Sequence, residues 1–403
     1  MGSILQTGTR RPAARGAGGS LPAMHLAFVF PFDPTDVRAY SGTPYFMTRA
    51  LRERVDRLSI VAPLPVGGAV RGRAAKLRHR LRGETYLRAH TWLGVGAMAE
   101  AAGRQLEALR PDAVLAPSTL PLAALDADCP LACWPDATFE ANLMFYPDFT
   151  GLPDALVAEA HAVERAALGR SAVAAFATAH AARSATGYYG VDDVSVHVVE
   201  YGTNLADEDV PTAEEVRASV AARPEGACRL LFVGGGWVRK GGDVALRVAE
   251  EMTARGVPTT LTVAGPAPPV EGHPLLRAEG FLRKDVPAQR DRLRALFAES
   301  HFLCMPVRAE DFGCVFAEAA AFGLPSLTTD IGGMPTTVGD GEAGLLFPFQ
   351  ERPQAIAERA LELLADRPAY EALAASAKAK QTRVLDWGVA CDRVLSLLRA
   401  HVS

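Results

Sequence analysis

The sequence predicts an α/β protein of two Rossmann-like domains, each a parallel sheet covered by helices, and three observations carry that prediction. The chain has 403 residues, too many for one ordinary core and enough for two domains of roughly 180 residues each. Short continuous apolar runs alternate with helical patterns along the first half, as expected of strands buried on both faces of a parallel sheet. A polar stretch at residues 206–227 interrupts this alternation, and the same pattern starts again beyond it.

Taken in order, the first strand is the apolar run at residues 25–30, closed by Pro31. A loop through Ser41, Gly42, Thr43 and Pro44 opens a helical pattern over 45–54, with the proline just inside the start where its missing N–H costs nothing. Strands follow at 58–62, 113–116, 131–134, 172–177 and 195–199. Beyond the polar stretch they resume at 229–234, 260–264, 301–305 and 324–328, with helices at about 242–255, 287–299, 313–322 and 352–366. Residues 24–205 therefore form an N-terminal Rossmann-like domain, 206–227 a linker region and 228–385 a second Rossmann-like domain. A C-terminal helix over 386–403 is free to pack back on the first domain.

Composition excludes several classes. Apolar residues make up 49% and charged residues 22%, with a net charge of −4, which leaves no field for a polyanion and speaks against nucleic acid. The six cysteines lie in apolar contexts without a matching Cys/His pair, as reduced thiols do, and neither a disulfide frame nor a zinc site is expected. Residues 1–23 carry Arg10, Arg11, Arg15 and several glycines but no apolar core segment, the composition of a disordered tail rather than a secretion signal. No run of 18 apolar residues escapes a charge, so no membrane span is expected and the protein is placed in or beside the cytosol.

Three strand-end motifs in the second half carry chemistry. Glu310 and Glu318 stand eight positions apart across a strand-to-helix junction, Glu310 in the loop and Glu318 two turns into an alanine-rich helix. The free amides of Phe312, Gly313, Cys314 and Val315 point into the pocket such a helix start makes, where oxyanions and polar oxygens are favoured. A carboxylate there grips a vicinal diol through both oxygens, as ribose or a hexose offers. Read alone, the pair also fits two solvated glutamates on a helix start. Next, a strand ends in Gly234, Gly235 and Gly236, followed by Arg239 and Lys240: close backbone approach and two cations suit a diphosphate, although a tight turn with surface cations fits as well. It is neither a Walker motif nor a clean dinucleotide fingerprint. The third is the turn at Gly332 and Gly333, followed by Met334 and Pro335 on the same sheet edge.

This set resembles the large retaining glycosyltransferase family four, of the GT-B fold. There a glutamate-x7-glutamate motif, a glycine strand end followed by lysine, and a Gly-Gly-Met/Val-Pro turn recur in this order. The resemblance covers about residues 228–350 well and the first domain more loosely, through Ser41, Gly42 and Thr43. It implies two Rossmann-like domains facing a central cleft. It also implies transfer of a sugar from a nucleotide-diphosphate sugar to an acceptor hydroxyl with retention of configuration, without a metal or other cofactor. By position, Glu318 would hold the ribose, and Glu310 with the Phe312–Val315 amides the donor sugar. Lys240 would meet the diphosphate beside Gly234 and Gly235, Leu282 would line the base site, and Gly42 and Thr43 would lie below the donor phosphate. The chain departs from the family at Gly235, where an arginine is usual and Arg239 is the substitute. It departs again after the 131–134 strand, where Asp136 stands near the family's histidine. Arg239, Lys240, Glu310 and Asp136 make up the expected catalytic set.

Weaker signals compete. Asp126 and Asp128 match a metal-binding Asp-x-Asp, yet Cys129 and Pro130 follow and a polar turn is the better fit. Residues 71–90 hold seven Lys/Arg against Glu84 alone, which fits a solvated helix face or a peripheral contact with anionic membrane. Two other functional classes share the donor motifs: a sugar-nucleotide epimerase, which needs a carboxylate and histidine cluster the first domain does not display, and a non-catalytic sugar-nucleotide binder.

Overall fold

The computed structural model describes residues 23–67, 75–79, 81–143 and 145–402. The chain divides into two compact units, one reaching to Val199 and taking back the chain from Trp387, the other holding Glu200–Asp386. The expected tail at 1–23 lies, but for residue 23, outside the described residues.

The first unit is built on six parallel strands: β1 (His25–Val29), β2 (Arg57–Val61), β3 (Ala113–Ala116), β4 (Leu131–Cys133), β5 (Val173–Phe176) and β6 (Val196–Val198). They run in the order β2-β1-β3-β4-β5-β6. Leu26 to Val29 and all of β3 and β5 are fully buried, because helices such as Trp92–Leu109 and Asp154–Arg170 cover the sheet and leave no wet face. Thr91, Thr138 and Thr178 cap helix starts by accepting from the amides of Gly94, Ala141 and Ala181, each worth about 1 kcal/mol. The C-terminal helix Trp387–Arg399 belongs to this unit. It buries Ala390, Cys391, Val394, Leu395 and Leu398, while Arg54 donates to the Gly388 carbonyl at 3.2 Å and pairs with Asp392 at 3.2 Å.

The second unit is also a six-stranded parallel sheet: β7 (Cys228–Val233), β8 (Thr259–Ala264), β9 (Leu276–Gly280), β10 (Phe302–Met305), β11 (Ser326–Thr329) and β12 (Gly344–Phe347). Its order is β12-β11-β10-β7-β8-β9. From the central pair β7 and β10 the chain winds outward in opposite directions. The crevice beyond their carboxyl ends is thus the topological switch point, where open parallel sheets bind ligands. In the first unit the corresponding reversal falls between β1 and β3.

Two strands lie outside the expected set. β9 is an edge strand whose residues are half-buried or exposed, so no burial pattern marks it. β12 is four residues long and opens on Gly344. The polar stretch 206–227 lies inside the second unit and contains a helix, Ala213–Ala221, closed by a capping box between Thr212 and Glu215. Only Val216 and Val220 of that helix are buried, which is why its composition reads as linker. Just before it, buried Asp209 sits 3.5 Å from Arg290 and 3.2 Å from Arg294, tying the stretch to the helix Pro287–Glu299.

Candidate active site

The carboxyl ends of β7, β8 and β9 are stitched together through glycines: the Gly234 amide donates to the Ala264 carbonyl and the Gly265 amide to the Gly280 carbonyl, both at 2.9 Å. Beyond β7 the chain turns through Trp237 and Val238 back to the helix Gly242–Ala254, and Gly242 donates to the Trp237 carbonyl at 2.8 Å. Gly241 is obligatory in that turn. Its φ is +76°, and a Cβ there would stand 2.0 Å from the Pro306 carbonyl oxygen of the loop after β10. The β7 and β10 loops therefore touch backbone to backbone, and this contact aims the cations.

Arg239 and Lys240 both reach Glu310. Lys240 Nζ lies 3.1 Å and Arg239 Nη1 3.2 Å from Glu310 Oε2, and Arg239 also donates to the Ala309 carbonyl at 2.5 Å. The side chains of Lys240 and Glu310 are only 13% and 12% exposed, so this is a sheltered charge cluster rather than a surface pair, and its charges are poorly screened. Gly313 lies beneath Glu310, at φ +68°, where a Cβ would meet the Phe316 ring at 2.7 Å and Glu310 Cγ at 3.0 Å. From Gly313 the helix Cys314–Ala321 departs, its small residues Ala317, Ala319, Ala320 and Ala321 fully packed. The third motif closes on the same point: the Gly333 amide donates to the Glu310 carbonyl at 3.2 Å, and Thr337 Oγ1 to the Phe312 carbonyl at 2.7 Å.

Glu318, on the second turn of that helix, is 3% exposed. Burial pushes its carboxyl above the ordinary glutamate range, opposed by the charges of Lys284 and Lys240. Lys240 thus interacts with both glutamates, and the three strand-end motifs meet in one cluster at the switch point. Leu282 follows β9 on the loop that leads to Lys284 and is half-buried. Gly235 adjoins open space, its nearest neighbour being Pro266 Cγ at 3.9 Å from an added Cβ. The remaining expected residues lie on the first unit. Gly42 and Thr43 are buried at the start of the helix Thr43–Arg52. Asp136 is the only exposed residue between 131 and 139. Partial burial and the charge of Asp136 push the Tyr40 phenol up to about 12, which makes these two neighbours. Asp126 and Asp128 lie exposed in the loop before β4, at the amino end of the sheet and away from its ligand edge.

Two residues escaped the sequence reading. Arg308 donates to both oxygens of Asp243 at 2.8 Å, depressing that carboxyl, and also to the Val238 carbonyl, clamping the turn that carries Arg239 and Lys240. Lys284 donates to Glu318 Oε1 and, at 3.0 Å, to the Asn204 carbonyl. A cation within a few residues of the predicted base-site residue Leu282 was a signal available for Lys284. For Arg308, 65 residues from Asp243, there was none.

Residues 227–366 match the model of the family Glycosyl transferases group 1. The match lies wholly within the second unit, Glu200–Asp386. It is 33% identical over 207 residues to the D-inositol 3-phosphate glycosyltransferase of Jonesia denitrificans, covering 47% of this chain and 48% of the relative. It is 30% identical over 256 residues to the enzyme of the same name from Streptomyces griseus, covering 56% and 53%. The chain thus spans about half the length of the curated relatives it matches. Among solved structures, sucrose-phosphate synthase from Thermosynechococcus elongatus superposes with a TM-score of 0.67 at 16% identity, covering 93% of this chain and 98% of that one. Anabaena HepE, solved with UDP and glucose, superposes with a TM-score of 0.61 at 15% identity, covering 94% and 100%. The fold is GT-B. None of its described helices is long and apolar enough to cross a membrane.

Proposed function

We propose that this protein transfers a sugar from a nucleoside-diphosphate sugar to an acceptor hydroxyl, with retention, and that the cluster around Glu310 is its donor site. The observation that carries the reading is Lys240, sheltered between two buried glutamates at the switch point of the second sheet. A diphosphate entering there meets Lys240 and Arg239, while Glu310 and the amides at the start of the Cys314–Ala321 helix accept from and donate to the sugar hydroxyls. Glu318 takes the ribose and Leu282 the base. As the bond to the sugar breaks, negative charge builds on the leaving diphosphate. Lys240 and Arg239, already fixed by Glu310 and the Ala309 carbonyl, stabilise it without reorganising. The acceptor proton passes to the leaving diphosphate, so no protein nucleophile is needed.

The test is a panel of UDP-, GDP-, ADP- and dTDP-sugars scored for thermal stabilisation and for release of the nucleoside diphosphate. One nucleotide series stabilises the protein and its sugar is turned over, in EDTA as in buffer, because the cations are the protein's own. Binding with no turnover under any acceptor tried, or turnover abolished by EDTA, contradicts the proposal.

Peripheral membrane contact through residues 71–90 has one observation in its favour, although 71–74 and 80 lie outside the described residues. Leu77 and Leu81 stand 59% and 81% exposed among exposed Lys76, Arg78 and Arg82, the pairing of apolar and basic groups that anionic bilayers attract. Sedimentation with vesicles containing phosphatidylglycerol, lost in a Leu77→Ser/Leu81→Ser variant, is the expected result; equal sedimentation with neutral vesicles removes the idea.

A further inference from the structure

We propose that Lys284 sets which nucleotide ring the donor site accepts: it occupies one oxygen of the ribose carboxylate, so that 2′-deoxyribonucleotide donors bind about as well as their ribose counterparts. The inference rests on the reading of Glu318 as the ribose ligand.

Glu318 has a side chain only 4% exposed, and one of its oxygens, Oε1, is taken by Lys284 Nζ. The ammonium is not a loose surface charge. It arrives from the loop after β9 and is held on its far side by the carbonyl of Asn204, a residue with no exposure. Lys240 adds a second cation whose field reaches Glu318. An unencumbered carboxylate grips a vicinal diol through both oxygens, and a site built that way rejects the 2′-deoxy analogue because one buried oxygen is left without its partner. Here the outcome differs. A neutral hydroxyl does not displace a tethered ammonium from a buried carboxylate, because the ammonium adds the attraction of a full opposite charge, weakly screened in a buried site, to its hydrogen bond. Oε1 therefore stays paired whichever nucleotide enters, and Oε2 remains for a single hydroxyl. The 3′-hydroxyl serves, and ribose and 2′-deoxyribose share it. Losing the 2′-hydroxyl strands no group of the protein, so the site has no means of rejecting the deoxy ring.

The experiment uses the full chain and calorimetric titration with nucleoside diphosphates that differ only at the 2′ position: UDP and dUDP, GDP and dGDP, ADP and dADP, at pH 8 to favour the ionised carboxylate. For the base that binds best, the wild-type deoxy-to-ribo Kd ratio is expected to stay below about fivefold. Lys284→Met frees Oε1 and raises the ratio by about fivefold or more, through tighter ribonucleotide binding, whereas Lys284→Arg keeps the cation and the wild-type ratio. Because each ratio is internal to one variant, a general loss of stability or of phosphate affinity cancels from it. A wild-type ratio of about fivefold or more, or a ratio that Lys284→Met leaves unchanged, overturns the proposal. A failure of every nucleoside diphosphate to bind wild type overturns the donor-site reading itself, which separates the two.

Discussion

At the scale of single residues, the site is a small set of charges whose partners are fixed by hydrogen bonds rather than by exposure. Glu318 illustrates the balance. Burial disfavours its charged form, and Lys284 and Lys240 offset part of that cost. Glu318→Ala therefore removes the proposed hydroxyl ligand and leaves Lys284 without its carboxylate partner, while Lys240 keeps Glu310. Nucleoside diphosphate binding weakens by about 2 kcal/mol, or roughly thirtyfold, as titration of wild type and variant should show. An unchanged Kd would remove Glu318 from the nucleotide site. The residue types of this cluster were legible in the sequence, since Glu310, Glu318, Arg239 and Lys240 all sit at strand-to-helix junctions. The pairings were not. Lys284 and Glu318 are 34 residues apart and Arg239 and Glu310 71, and nothing local encodes which cation meets which carboxylate.

Elements set those distances. β1, β3 and β5 could be read from their apolar runs because they are buried on both faces. β9 could not, because an edge strand needs no such run. The helix Arg367–Arg383 also hides, because its buried face mixes Tyr370, Leu373, Ala374 and Ala377 with Lys378, Lys380 and Gln381. One anchor between elements makes a pH prediction. His301, at the start of β10, accepts the Arg229 amide on Nδ1 at 2.9 Å and donates from Nε2 to the Pro224 carbonyl at 3.0 Å. Both ring nitrogens are satisfied only in the neutral form, and burial holds its pKa down to about 4; His90 is likewise lowered to about 4 by burial. The unfolded histidines take up protons near 6.5 and the folded ones do not. Stability is thus intact above pH 6.5 and falls as pH drops toward 4. Glu164, raised to about 7 by burial, acts in the opposite sense, being favoured by protonation below pH 7 relative to the unfolded chain. His25, His161, His180 and His197 are lowered by burial as well, and Glu140 and Glu318 are raised, so the testable quantity is the share of His301 alone, a loss of about 2 kcal/mol between pH 7 and 5. Between pH 7 and 5, thermal unfolding should show the change in Tm of His301→Ala shifted upward relative to that of wild type; parallel profiles in the two proteins would refute the assignment.

At the scale of the whole molecule, two sheets of six parallel strands repeat one architecture, and the repeat was visible as a pattern that stops and restarts. The chain's return to the first unit at Trp387 is the feature that makes the units interdependent in sequence. The helix Trp387–Arg399 contributes five fully packed side chains to that unit, and Trp387 packs edge-on against Trp134 at 5.9 Å. Ending the chain at Asp386 uncovers this apolar face, a loss of several kcal/mol by area alone. The truncated protein should unfold at a markedly lower temperature or fail to fold, and a truncated protein with the wild-type Tm would contradict this packing.

The central claim of the proposed function is an anionic leaving group stabilised by cations that the fold holds ready. The most direct test is the turnover of Lys240→Ala with the donor that wild type prefers, measured beside its Kd for the corresponding nucleoside diphosphate. The expected result is a fall in kcat of about a hundredfold to a thousandfold, larger than the change in binding. Turnover close to that of wild type would show that the charge on the leaving group is met elsewhere.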